Sequence, residues 1–494
     1  MKERKKVVVV GGGTAGMITA LWAHKHLPDI DLTVIKSSQV PIVGVGEAST
    51  PSMVSFLEEV GIDPLELIKR TGGTIKNGIT FKNWNGDGDS YFHGFSPTGG
   101  LGEILEESCS CPPHFATGVY SYYERMAIHK GVRLDNVMYS SMLAASNKVD
   151  IDNSSWSLQF EASKVAAYLQ EVAESRGILV KEGMYESTID DKEGFIKALV
   201  LKGGSTLPLD FLFDCSGFSR LFIGGKFAQK WESYQEHLPM KQAIPFRLPK
   251  QHPLTSCTTA TAMKYGWMWS IPLQDLTGCG YVYDSDYINA EEAQREVEEV
   301  LGHTVTVPKV LDFAIGHYEN VWVKNCVAIG LSTGFAEPLE ATSIHRSIDQ
   351  LSFLTHYINH LFQHNSRSTQ SYNTTNFNQN RSVLDFIYLH YITKREDSDF
   401  WKNFQIDNPV PESLKNILAL LKERNLRFID IEVSNIWELS NYLQVSEGLG
   451  VAKGPISIEG YEGLSPSLEE RTKLFERYAR DALDHAEFLE RLGE

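Results

Sequence analysis

Membrane-spanning apolar runs are missing from the start of this chain. Met1–Lys6 is short and charged, and the apolar run Val7–Val10 stops at a cluster of glycines. Four residues are too few for a secretory core or a membrane span, so no membrane partner and a cytoplasmic location are expected. Cysteine is scarce: Cys109, Cys111, Cys215, Cys257, Cys279 and Cys326 are the only six among 494 residues. Only the first two lie close together, with His114 nearby and no fourth ligand, so no metal site is expected and the thiols read as reduced. Basic runs are missing too. Lys and Arg number 46 against 63 Asp and Glu, a net charge of −17 that repels nucleic acid and favours solubility. There is no internal repeat and no clean linker. What remains is an ordinary globular balance, 42% hydrophobic and 22% charged, ample for a large core of two or three domains.

The most specific local pattern is at the N-terminus. The β-branched run Val7–Val10 reads as a buried parallel strand. Gly11-x-Gly13-x-x-Gly16 follows it and opens a helix, Met17–His26, and Asp31–Ile35 is the next strand. A glycine triplet placed between strand and helix is a dinucleotide fingerprint. Gly11 permits the tight turn, Gly13 lets backbone approach a pyrophosphate, and Gly16 lets the helix pack on the strand. The amides around Thr14 and Ala15 then face the phosphates at the positive end of the helix. An acid for the ribose is missing: Ile35 is followed by Lys36 and Ser37, so Ser37 takes that role or the contact is lost. No second such triplet follows a strand, so no resident NAD(P)H site is expected, and a bound flavin would be reduced by another protein.

Elsewhere the pattern is coarser. The glycine-rich Ser37–Thr50 reads as a loop, Glu161–Ser175 is an amphipathic helix, Ile178–Val180 begins a strand, and Ser205–Phe213 and Val321–Ile329 read as strands. Gln363–Arg381 is rich in Asn, Ser and Thr without apolar periodicity and reads as a surface excursion between helices. Ser467-x-x-Glu470 is a capping-box pattern, with Phe475, Tyr478, Ala482 and Leu489 on one helical face beyond it.

Several segments in order resemble the flavin-dependent tryptophan halogenase family. They are VVVVGGGTAG at the start, PIVGVGEASTPSM over Pro41–Met53, and TIKNGITFKNW over Thr74–Trp84. WSLQFEASKVAAYL follows over Trp156–Leu169, then FLFDCSGFSRLFI over Phe211–Ile223 and GWMWSIP over Gly266–Pro272. CVAIGLSTGFAEPLEATSI spans Cys326–Ile344 and HYITKREDSDFW spans His390–Trp401. The match covers roughly residues 6–402 and fades over the last ninety or so.

The resemblance implies a two-component oxidoreductase. It would use FAD delivered as FADH2 by a separate flavin reductase, with oxygen and a halide ion (chloride, bromide or iodide). Hypohalous acid would form and halogenate a small, electron-rich aromatic substrate such as an indole or phenol. It places a strap over the flavin at Val45, Gly46, Glu47 and Ala48, and Leu331 beside the flavin. Trp267 and Trp269 become a barrier between flavin and substrate, though a W-x-W pair is by itself more often core. Thr342 and Ser343 would bind halide through their amides. Ala341 and Ser343 depart from the family's usual serine and glycine, which leaves the choice of halide open. Lys76 would receive the hypohalous acid, as hydrogen-bond donor or as haloamine; without the resemblance it reads as a solvated surface lysine. Glu340 would stabilise positive charge on the ring or accept its proton, against a plain reading as a helix cap. Glu337 reads as structural or flavin-facing. The aromatic stretches Tyr91–Phe95 and Phe115–Tyr123, with Trp437, Tyr442 and Leu443, are core or a flat substrate's walls.

The expected fold is α/β. A glutathione-reductase-like FAD domain spans 1–345, with substrate-region insertions at about 85–150 and 225–315, and a mostly helical capping region spans 346–494. Nothing in the sequence excludes a homo-oligomer. The rivals are a flavin monooxygenase on the same scaffold, opposed by Trp267 and Trp269, and a non-catalytic flavin binder, opposed by Lys76 and Glu340.

Overall fold

Lys5–Val10 (β1) is fully β-branched where it enters the core, and it pairs in parallel with neighbours on both sides. The computed structural model describes residues 4–27, 29–40, 46–86, 88, 90–95, 138–152, 154–423, 426, 430–432, 435–451 and 465–494. β1 sits inside a six-stranded sheet that runs Trp322–Val323, Cys326–Ala328, Phe211–Asp214, β1, Ile30–Lys36 (β2) and Leu179–Glu182. All its pairings are parallel except the first. The sheet thus gathers strands from four separated stretches of chain, as a doubly wound nucleotide-binding domain does. Thr14–His26 (α1) returns across it with Met17, Ile18, Leu21 and Trp22 buried.

A second, seven-stranded sheet carries the other half of the molecule. Its order is Leu311–Asp312, Gln242–Pro249, Leu276–Tyr283, Gly266–Pro272, Thr258–Ala262, Gly78–Lys82 and Ser90–Gly94. Trp267 and Trp269, two residues apart, lie on one face of a central strand. A small three-stranded sheet joins Glu47–Ala48 and Thr74–Lys76 to the two sides of Ser157–Phe160. It fixes the end of the expected strap beside Lys76. The helices Thr342–Thr355 and Ser366–His390 pack on each other, the first also on α1 and the second on the Trp322–Val323 edge of the first sheet.

Four local expectations are corrected. Gln363–Arg381 is no surface excursion: most of it lies in the helix Ser366–His390, capped by Asn365. Its inward face is amide rather than apolar. Asn373 accepts from the Val321 and Trp322 amides and donates back to the Trp322 carbonyl, so burial is met by hydrogen bonds that hydrophobic periodicity cannot reveal. Val321–Ile329 is two short strands folded back at Lys324, whose φ is +55°. The Ser37–Thr50 loop contains the strand Glu47–Ala48. The C-terminal helix begins at Ser465, so Ser467 and Glu470 lie inside it, and the strand Leu483–Asp484 separates it from the helix that holds Leu489.

Candidate active site

The fingerprint turn is built on close backbone contact. Gly11 has φ +127°, and a Cβ there would sit 2.0 Å from the Cys215 carbonyl oxygen. A Cβ on Gly16 would sit 1.9 Å from the Gly11 carbonyl oxygen. A Cβ on Gly13 would meet nothing within 4 Å. Gly13 is also the N-cap of α1, and no side chain caps that helix. The outer two glycines are therefore required by packing, while Gly13 leaves open space before the uncapped amides around Thr14 and Ala15. That cradle fits a pyrophosphate. At the end of β2, Lys36 turns to Gln170 (2.7 Å), and Ser37 is half-buried with its hydroxyl near the Gln39 amide. Val45 lies outside the described residues. Gly46 packs on Gly278 and Ile271, so the strap reaches the strand that carries the tryptophan pair and its neighbour.

Lys76 is 0% exposed. Its strand pairs with Ser157, its Nζ donates to the Ser49 carbonyl (3.0 Å), and it stands 5.3 Å from the centre of the Phe95 ring. Burial pulls the ammonium down to about 8, with the negative charge of Glu340 resisting from nearby. A charged lysine held inside by one carbonyl and one ring is costly, which makes it a candidate for chemistry rather than for stability.

Glu340 is 3% exposed and stands between two histidines. His93 Nδ1 lies 2.9 and 3.0 Å from its two oxygens, and His390 Nε2 lies 2.7 Å from Oε1. The proton positions follow from the outer partners. Asn441 Oδ1 accepts from the Glu438 amide, so its Nδ2 donates to His93 Nε2, and Nδ1 must carry the proton toward Glu340. His390 Nδ1 faces the Phe386 carbonyl and is therefore a donor, so the contact from Nε2 to Glu340 also holds a proton. Burial by itself would raise the Glu340 carboxyl; the two imidazoles outweigh it and hold it down at about 2. Glu340 is thus an ionised carboxylate and caps no helix by its side chain. Neither histidine is distinguishable in the sequence: residues 93, 340 and 390 share no spacing, although both histidines fall within stretches already singled out.

Glu337, three residues earlier, faces other groups. Its Oε2 accepts from Trp267 Nε1 (2.7 Å) and the Tyr391 hydroxyl (2.8 Å), while Oε1 has no partner among the described residues. Burial raises this carboxyl to about 7. The clamp fixes Trp267, whose ring centre lies 6.2 Å from that of Trp269. Trp269 lies against Gly280, where a Cβ would come within 2.1 Å of the ring. Trp84 is buried with Nε1 on the Ala260 carbonyl and its edge against His390.

The turn Pro338–Glu340 ends at Ala341, whose φ of +56° swings the chain into the helix Thr342–Thr355. The first-turn amides at Thr342 and Ser343 have no side-chain cap. They border a small recess that Leu331 also lines. Among the C-terminal aromatics, Trp437 stacks on Phe386 (4.2 Å) and Tyr442 is buried beside it; both wall the His93 side of the site. Phe115–Tyr123 lies outside the described residues, as do Cys109, Cys111 and His114; the side chain of Leu443 does too. Among the described residues no cluster of metal-ligating side chains occurs, and no helix is long and apolar enough to cross a membrane.

Comparisons with known proteins converge. A family model described as tryptophan halogenase matches residues 6–457. The tryptophan 6-halogenase of Streptomyces toxytricini is 30% identical over 438 residues, which is 83% of this chain and 82% of that protein. Among solved structures, a flavin-dependent halogenase from Xanthomonas campestris superposes with a TM-score of 0.88 at 29% identity, covering 99% of both chains. A flavin-dependent halogenase from Brevundimonas gives 0.83 at 27% identity, again over 99% of both.

Proposed function

The chain belongs to the tryptophan halogenase family, and from that premise we propose that it halogenates an electron-rich aromatic ring, of indole or phenol type. The net reaction is RH + halide + FADH2 + oxygen + H+ giving RX, FAD and two waters, with FADH2 delivered by a separate reductase. When bound, the reduced flavin supplies activated oxygen that converts halide to hypohalous acid. Gly11, Gly13 and Gly16 with Thr14 and Ala15 would hold the pyrophosphate of FAD, Ser37 the ribose, and Gly46, Glu47, Ala48 and Leu331 its ring. Trp267 and Trp269 keep that oxidant away from the arene.

Lys76 holds the hypohalous acid at Nζ by donating a hydrogen bond that polarises the halogen toward the ring. An amine held at about 8 is partly neutral near that pH, so transfer of halogen to nitrogen is an alternative use of the same group. Glu340 places a fixed negative charge opposite the ring as positive charge builds on it. Its Oε2, which carries only the weaker arm of the His93 contact, receives the departing ring proton. His93 and His390 orient that carboxylate and keep it ionised.

The observation that carries this reading is a lysine with no exposed surface set close enough to a twice-bridged glutamate for their charges to interact. A hydroxylase or a passive flavin binder has no use for that pair. The test is a halide screen. The protein is given reduced flavin from any reductase and a panel of indoles and phenols, with chloride, bromide or iodide in turn, and products are read by mass. Products that gain halogen mass support the reading; hydroxylated products independent of halide, or none at all, overturn it.

A further inference from the structure

The recess beneath Thr342 and Ser343 has a second wall with a chemistry of its own. Arg346, one turn into the same helix, is 6% exposed. Its guanidinium sits in a cage of neutral amides from the helix Ser366–His390. Nε donates to Asn380 Oδ1 (3.2 Å), Nη1 to Gln379 Oε1 (2.9 Å) and Nη2 to Asn376 Oδ1 (3.2 Å). These dipoles solvate the charge. The nearest carboxylate, Asp349, forms an ion pair with Nη1 at 3.6 Å and a closer one with His345 at 3.1 Å. Asn380, 8% exposed, has its Nδ2 buried with no acceptor among the described residues.

Arg346 and Asn380 line the same recess as Thr342 and Ser343, and Val383 and Leu384 close it with apolar surface. Its volume of about 30 Å³ admits a small ion or water but no arene. His317, also in its wall, is pushed down to about 4 by burial, which leaves that imidazole neutral and the guanidinium as the charge that faces the space. The unpaired Asn380 amide and the uncapped first-turn amides, beside a buried guanidinium that shares its one carboxylate with His345, make a place where a monovalent anion replaces water at low cost.

We propose that Arg346 and Asn380 form the far wall of a built anion subsite for the halide, so that the ion is held between this side-chain pair and the first-turn amides. The proposal rests on the halogenase reading for the identity of the anion, but not for the existence of the site. It requires no bond making: one halide ion enters and water leaves.

The experiment uses the full flavin-free chain and follows broadening of the chloride NMR line, with bromide as competitor. Wild type broadens the line and bromide abolishes the excess. Arg346→Met, which removes the charge, and Asn380→Asp, which sets a carboxylate on Nε in an unchanged shape, each weaken chloride binding about tenfold or more. Should Arg346→Met fail to fold, Asn380→Asp decides the matter alone. Wild type with no bromide-sensitive broadening, or a folded Asn380→Asp that broadens like wild type, overturns the subsite. Halogenation assays on the same samples separate the two ideas. Chloride binding lost in Asn380→Asp while wild type forms no halogenated product keeps the subsite and sinks the halogenase reading. Halogenation with chloride binding indifferent to Asn380→Asp does the reverse.

Discussion

Replacing Glu337 by glutamine should make the protein more resistant to heat in alkali and leave it unchanged in acid. In the folded chain Glu337 is buried, and its carboxyl is raised from the ordinary 4.5 to about 7. The two donors on Oε2 do not offset the loss of water around the charge, and Oε1 has no partner among the described residues. For an acid raised on folding, stability is fully present below the unfolded value and is lost as pH climbs from about 4.5 to about 7, where the loss levels off. The 2.5-unit gap corresponds to about 3 kcal/mol at about 1.36 kcal/mol per unit. Glutamine has the shape and hydrogen-bonding of the neutral acid, so it keeps the Trp267 and Tyr391 contacts and never titrates. At about 2.1 cal/mol/K of unfolding entropy per residue, 494 residues convert that energy into roughly 3 °C. Thermal unfolding of both proteins without flavin, at about pH 5 and about pH 8, should therefore show Glu337→Gln gaining about 2.5 °C over wild type across that interval. The difference between the proteins cancels every other titrating group. A gap that stays constant with pH would refute the reasoning, because it would mean that burial costs this carboxylate nothing.

Lys76→Met should lose at least about a hundredfold in halogenation while melting roughly 2 °C higher at neutral pH, since it removes a buried charge whose pKa is depressed; calorimetry and turnover on one preparation check both halves. Gly13→Ala should leave apo stability unchanged and weaken FAD binding about tenfold or more, by flavin fluorescence titration, because its methyl enters open space meant for phosphate. Gly16→Ala, 1.9 Å from a carbonyl, should instead lower the melting temperature or prevent folding. His390→Phe should reduce kcat and move the acid limb of its pH profile upward, since Glu340 loses one of two imidazoles that hold it low; an unmoved limb would show that His390 only fills space.

What could be read in advance was whatever chemistry is local in the chain. The fingerprint glycines act on backbone within a few residues of themselves, so Gly11, Gly13 and Gly16 could be given distinct jobs from spacing alone. Lys76 could not: by composition it is a surface lysine, and only the resemblance of TIKNGITFKNW marked it. Its burial comes from pairing with Ser157, some eighty residues on, which no local pattern encodes. The same holds for His93 and His390, drawn from a sheet edge and a helix end onto Glu340. The first half of the helix Ser366–His390 was hidden for a different reason: its buried side carries Asn373, Asn376 and Asn380, hydrogen-bonded to backbone and to Arg346, and hydrophobic periodicity is blind to such a face.

Glu337 and Glu340 show how one short turn can supply two opposite carboxyls. Pro338 starts a turn of three residues that aims consecutive acidic side chains away from each other. Glu337 lands between an indole and a phenol, neutral donors that relieve little of its burial, and its carboxyl rises to about 7. Glu340 lands between two imidazoles, one of which must share a proton with it, and falls to about 2. Environments that separate two like groups by this much assign them different tasks. The low member stays charged throughout the neutral range and suits a ring that becomes positive. The high member is half neutral near pH 7 and anchors Trp267, the residue proposed to stand between oxidant and arene. Exchanging the two surroundings would lose both properties: an ionised clamp would repel electron density at the barrier, and a protonated Glu340 could neither stabilise a cation nor accept its proton. The identity of the neighbours, more than the carboxyls themselves, therefore fixes which of the two stays charged.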